Sequence, residues 1–163
     1  MMWFRRKPKP DTSEASRELR HQALTVAASD LGLAPTAARP NVWGLLMETG
    51  YPEGVATLVV LADGTTSLYF SGGGGVIGAG DHDSVRGAGE MVLSATEAHL
   101  SHFVTAGETP LPDVGRVRFY VRTFDGIKGA EADEEDLGEG RHPLSPVFHA
   151  AHDVIGAIRQ VSP

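Results

Sequence analysis

The chain has 163 residues, 41% of them hydrophobic, with mean hydropathy −0.12 and no cysteine. That is enough chain for one domain with a real core, and it excludes a disulfide framework, a thiolate zinc site and a cysteine nucleophile. Net charge is −7, yet Arg5, Arg6, Lys7 and Lys9 put +4 in the first ten residues, so ten cations face 21 carboxylates over the rest and a body at −11 repels nucleic-acid phosphates.

Residues 1–10 read as a flexible basic arm, and 11–163 as a single globular domain. The arm lacks the apolar stretch of a secretory signal, and no apolar run is long enough to span a bilayer. Its Trp3, Phe4, Arg5 and Arg6 suit at most weak contact with an anionic membrane surface. A cytoplasmic location is expected.

Asp11 to about Leu31 has helical periodicity. Asp11 and Glu14 form a capping-box-like start, Gly32 provides the stop, and Ala15, Leu19, Ala23, Val26 and Ala27 form the apolar stripe. A three-strand meander follows over Val42–Thr49, Val55–Ala62 and Thr65–Ser71. Asp63-Gly64 reads as a two-residue hairpin turn that sets Ala62 against Thr65, Val59 against Leu68 and Thr57 against Phe70. Trp43, Leu45 and Met47 alternate with Val42 and Leu46, so the strands are apolar on both faces and need cover on both.

Ser71 to Ser84 contains six glycines, and Gly73, Gly75 and Gly78 satisfy G-x-G-x-x-G. The neighbourhood argues against a phosphate cradle. Antiparallel strands surround it, no Gly-Lys-Ser/Thr follows, and Asp81 and Asp83 would meet an anion at the helix start. The segment reads as a glycine-kinked strand exit or close backbone crossing, with Gly73, Gly75, Gly78 and His82 as the residues to examine for a ligand.

A long helix is expected over Ser84–Val104, capped by Asp81, Asp83 or Ser84. Ala88, Met91, Val92 and Ala95 form its main stripe, joined by His99 and His102, a pair at metal-ligand spacing. Leu93, Leu100 and Val104 form a second stripe, the expected subunit contact.

Gly115–Phe124 alternates, with Val117, Phe119 and Val121 on one face and Arg116, Arg118, Tyr120 and Arg122 on the other. With Asp125-Gly126 as the turn, Tyr120 faces Glu131, Arg118 faces Asp133 and Arg116 faces Glu135. Arg122 then faces Gly129 and lacks a cross-strand acid, which makes it a candidate for ligand contact. The acids from Glu131 to Glu139 do not form an EF-hand loop, because Leu137 and Leu144 stand where oxygen ligands are needed; Asp136 and Glu139 read as a solvated turn. A last helix begins near Ser145-Pro146 and buries Val147, Ala151, Val154, Ile155 and Ile158, leaving His149 and His152 on its polar side.

The order α-β-β-β-α-β-β-α predicts an α+β fold, three layers (α/β/α) around a five-stranded, largely antiparallel sheet. In element types and size it resembles the profilin-like and roadblock-like small domains. No G-x-S-x-G, S-x-x-K or H-E-x-x-H signature is present. Binding rather than catalysis is therefore expected, with no cofactor: a protein-interaction or scaffold module, as a homodimer. The alternative is a small-molecule or metal-binding domain, or an enzyme, with a pocket beneath the glycine turn near His82, His99 and His102.

Overall fold

A computed structural model describes residues 12–162. The basic arm, its membrane-contact residues and the capping role of Asp11 lie outside the described residues. Helix α1 (Thr12–Thr25) precedes strands β1 (Val42–Tyr51), β2 (Gly54–Leu61), β3 (Thr66–Phe70) and β4 (Gly75–Val76). Helix α2 (Asp83–Ala98), strands β5 (Val104–Thr105), β6 (Arg116–Thr123) and β7 (Gly126–Asp133), and helices α3 (Glu134–Gly138) and α4 (Ser145–Val161) complete the chain. No described helix is long and apolar enough to cross a membrane.

The fold is α+β, and the antiparallel sheet runs β4-β3-β2-β1-β6-β7-β5. It has seven strands where five were expected. The additional edge strands, β4 and β5, are two residues each, too short to carry a periodicity. β1 lies at the centre, buried along all but its last residue. One core, with Leu45, Met47, Leu58, Val60, Phe119 and Val121, packs against α2 and α4; a second, with Trp43, Leu46, Val59, Leu61, Tyr69 and Tyr120, packs against Ala23 and Leu24 of α1.

Trp43 lies opposite its expected face because the β1–β6 register shifts between Val42 and Gly44, a bulge that places Trp43 with Leu46. The first hairpin also departs from expectation. Leu61 N donates to Thr65 O at 2.9 Å across the three-residue loop Ala62-Asp63-Gly64, with Gly64 at φ +96°. Leu68 therefore faces Leu58, not Val59, and Tyr69 joins Val59 and Leu61 on the α1 side. In the second hairpin Thr123 pairs with Gly126, so the loop is Phe124-Asp125 and the register moves by two residues. A two-residue shift preserves the faces: Arg118 now faces Glu131, Arg116 faces Asp133, and Arg122 faces Ile127. Arg116 pairs with Glu131 at 2.9 Å, and Arg118 pairs with the same carboxylate at 2.5 Å. Glu135 belongs to α3 instead, where the Asp133 side chain caps the helix by accepting from Asp136 N.

α1 is shorter than its sequence pattern and turned by one residue, burying Ser16, Ala23 and Leu24 while Ala15 and Ala27 stay exposed. The chain continues as a 3-10 turn over Ala28–Leu31, stopped by Gly32 at φ +70°.

Candidate functional site

The glycine segment folds back along the sheet edge before reaching any helix. Gly73 N donates to Phe70 O and Phe70 N to Gly74 O, closing a tight turn from which β4 pairs with β3. Gly73, Gly75 and Gly78 fall in that turn, in β4 and before a 3-10 turn, with φ of +114°, +152° and +75°. A Cβ on Gly75 would stand 2.4 Å from Leu68 O, and one on Gly80 would stand 1.7 Å from Gly64 O, so these glycines permit close backbone crossings. α2 begins only at Asp83, after an exposed His82, and no side chain caps it, so none of Asp81, Asp83 and Ser84 fills that role. Arg86 turns back instead and donates to the carbonyls of Gly80 and Asp81. The segment thus presents acceptors that a cation already occupies, which is the reverse of a phosphate cradle.

The histidines separate. His82 and His99 flank the 16 residues of α2 at its two ends, roughly 26 Å apart along the helix at 1.5 Å per residue. The pocket expected to combine His82 with His99 and His102 does not form. α2 also ends at Ala98, so His99 and His102 do not share a helical face. His99 Nδ1 lies 2.7 Å from Ala95 O, His102 is exposed, and their rings are 6.4 Å apart. Among the described residues no group of three or more His, Asp or Glu side chains could hold a metal ion.

The subunit-contact stripe breaks for the same reason. Leu93 is buried in the core, Leu100 is half-buried in a 3-10 turn, and Val104 is exposed on edge strand β5. The buried face of α2 is Val85, Gly89, Val92, Leu93 and Thr96, while Met91 is exposed. On α4, His149 is exposed but His152 is half-buried against Phe148, with Nε2 shielded and lacking a hydrogen-bond partner among the described residues. Burial, followed by the charges of His149 and Arg159, depresses its pKa.

The polar residues the structure does bring together lie beneath α1. Glu48 of β1 is fully buried. Arg20 donates to both of its oxygens at 2.8–3.1 Å and also to Thr109 O, and Thr57 Oγ1 donates at 2.7 Å. Burial works against the Arg20 charge, but hydrogen bonding and attraction to Glu48 outweigh it and raise the pKa. The sequence signal for this cluster was one carboxylate in the otherwise apolar run Val42–Met47 and its continuation.

Arg122, singled out for lacking a cross-strand acid, is buried too. It donates to Ala23 O at 2.6 Å and Val26 O at 2.7 Å, and its guanidinium lies 4.3 Å from the centre of the Trp43 ring. It is a built-in cation at the α1 C-terminus, where the helix dipole favours positive charge.

Beside this network lies a cleft of about 270 Å³ between α1 and strands β2 and β3. Leu19, Ala23, Val26, Val59, Leu61 and Ile77 supply its apolar surface; Gln22, Thr65, Ser67 and Tyr69 are its uncharged polar residues. Tyr69 also lines an adjoining cavity of about 30 Å³ with Arg20 and Thr57, and its buried hydroxyl makes no hydrogen bond among the described residues. Comparison with family models, curated proteins and solved structures finds no match, and none supports the profilin-like and roadblock-like resemblance expected from element types and size.

Proposed function

We propose that this chain is a non-catalytic, cytoplasmic interaction module that self-associates through the end of the sheet where β1 finishes and β2 begins. One observation carries this reading. Of the seven large apolar side chains exposed among the described residues, Tyr51, Phe70, Leu111 and Val114 gather at that end. Tyr51 and Phe70 share a surface depression with Val55; Leu111 lies near Val55 and Ser71; Val114 bridges to Gly50 beside Tyr51. Exposed apolar clusters rimmed by polar groups favour protein contact.

Glu53, Asp113 and Glu134 stand around this surface together with Arg159. Both signs are present, so the patch can meet its own copy across a two-fold axis without single-signed repulsion. The contact surface moves from the expected α2 stripe to the sheet end, because Leu93 is unavailable inside the core.

Sedimentation velocity over a wide concentration range tests the proposal. A mass of two chains is expected, lost in the Phe70→Glu, Val114→Glu double variant and kept in Met91→Glu, which alters an exposed apolar residue elsewhere. A single-chain mass at every concentration overturns it.

A further inference from the structure

Helix α1 starts at the end of the sheet that carries the exposed apolar patch. Ser16 and Arg17, near its start, share a cavity wall with Val55, Ser71 and Leu111, whereas Ala23 and Val26 line the cleft with Leu61 and Thr65 at the far end of β2. Thr12 lies roughly 6 Å before Ser16 along the axis, at 1.5 Å per residue. Residues 1–11 therefore join the described chain from the patch end.

The patch and the preceding stretch have complementary chemistry. The depression bordered by Tyr51, Val55 and Phe70 measures about 420 Å³, and its two rings remain 38% and 41% exposed. Trp3 and Phe4 bring two further aromatic side chains, which bury large apolar areas and favour contact with other rings. Glu53 lines the depression, Asp113 precedes Val114, and Glu134 acts on Tyr51. None of these carboxylates is ion-paired with a described cation. Arg5, Arg6, Lys7 and Lys9 follow Phe4 directly. The eight residues from Phe4 to Thr12 span up to about 26 Å, enough for the aromatics to enter the depression while the cations cross its acidic rim. So short a tether also holds the aromatics near their own patch at an effective concentration of the order of millimolar.

We propose that Trp3 and Phe4 dock into the sheet-end depression of their own chain, with Arg5, Arg6, Lys7 and Lys9 against Glu53, Asp113 and Glu134. A covered patch is closed to a second copy, so the arm limits self-association. That consequence rests on the contact surface proposed above; the docking does not.

The test reads Trp3 emission as the difference between the full chain and its Trp3→Phe variant, at a dilution where sedimentation shows single chains. A maximum to the blue of N-acetyltryptophanamide and protection from acrylamide are expected. Both should be lost in the Phe70→Ser, Leu111→Ser double variant, which alters two exposed side chains, and kept in Ile77→Ser, which alters one in the α1 cleft. Emission like that of the free amide, or no change in Phe70→Ser, Leu111→Ser, overturns the docking. Loss in Ile77→Ser instead puts the aromatics in the cleft and overturns it too. Docking should weaken in about 0.5 M sodium chloride; a salt-independent emission removes the ionic contact. Trp3→Ser, Phe4→Ser should tighten self-association about tenfold, the square of a roughly threefold gain in free patch on each chain. Unchanged or weaker association overturns the limiting role. Shielded Trp3 in a protein that never dimerises refutes the self-association reading alone, and exposed Trp3 in one that does dimerise refutes this inference alone.

Discussion

Glu48 and Arg122 are the two charged residues buried among the described ones, on neighbouring strands of the face that α1 covers, and different surroundings stabilise each. Glu48 has an ionic partner in Arg20 and a neutral donor in Thr57. Arg122 has no carboxylate partner among the described residues; two carbonyls at the end of α1 and the Trp43 ring receive it, while burial lowers its pKa. Glu48→Gln should lower unfolding free energy by ~2–3 kcal/mol, less than the 3–5 typical of a fully buried pair, because Arg20 reaches solvent. Arg122→Met should cost ~2 kcal/mol through two charge-assisted hydrogen bonds. Urea unfolding midpoints of the two variants check both values. Sequence alone marked Arg122, because the alternation of β6 leaves it without an acid opposite. It could not place the guanidinium under a helix about a hundred positions earlier in the chain.

Among the elements, hairpin loops decide most of the geometry. One additional loop residue after Leu61 moves every β3 side chain relative to β2, placing Ser67 rather than Leu68 opposite Val59 and turning Tyr69, opposite Thr57, to the face that lines the cleft. The β6–β7 register makes a testable claim about charge. Exchanging Arg118 and Glu131 should restore most of what each single reversal loses, with a coupling of ~0.2–1 kcal/mol between facing side chains. Exchanging Arg118 and Asp133, two residues out of register, should restore little. Denaturant midpoints for both double-mutant cycles separate the registers. Sequence alternation correctly assigned Arg116, Arg118, Tyr120 and Arg122 to one face, because a two-residue slip leaves faces intact. The end of α2 was less legible: His99, Leu100, His102 and Val104 continue a plausible helical spacing, but the chain tightens into a 3-10 turn after Ala98.

For the whole molecule, acid is the condition that acts on both the β1–α2 junction and α4. Glu97 near the end of α2 accepts from Asn41 N and Val42 N at 2.9 and 3.0 Å, tying α2 to the start of β1. Partial burial opposes its charge, but these backbone bonds, the Asn41 side chain and Arg39 prevail and lower its pKa below 4.5. That stability is full above 4.5 and is lost as pH falls through the folded value. His152 is also depressed, from 6.5, because burial favours the neutral ring. Its contribution is present above 6.5 and disappears as pH falls through its lower folded value. Unfolding midpoints measured through this range should fall in two stages on acidification. His152→Leu should remove the upper stage and keep the lower; a wild-type midpoint flat through the upper stage refutes the assignment.

By itself the sequence determined the five longer strands, the approximate course of the three longer helices, the antiparallel character of the sheet and the need to cover both of its faces; it did not show the short helix α3, whose acids read as a turn. What it determined follows from side-chain periodicity and turn residues, which act over a few neighbouring positions. Only the tertiary structure decided the hairpin registers, the point where α2 stops, the burial of Glu48 and Arg122, and the two edge strands. Each depends on competition between distant groups for the same hydrogen bonds and the same volume. Arg122 taking the Ala23 and Val26 carbonyls, and the Gly80 backbone passing against Gly64, are contacts that no local spacing encodes.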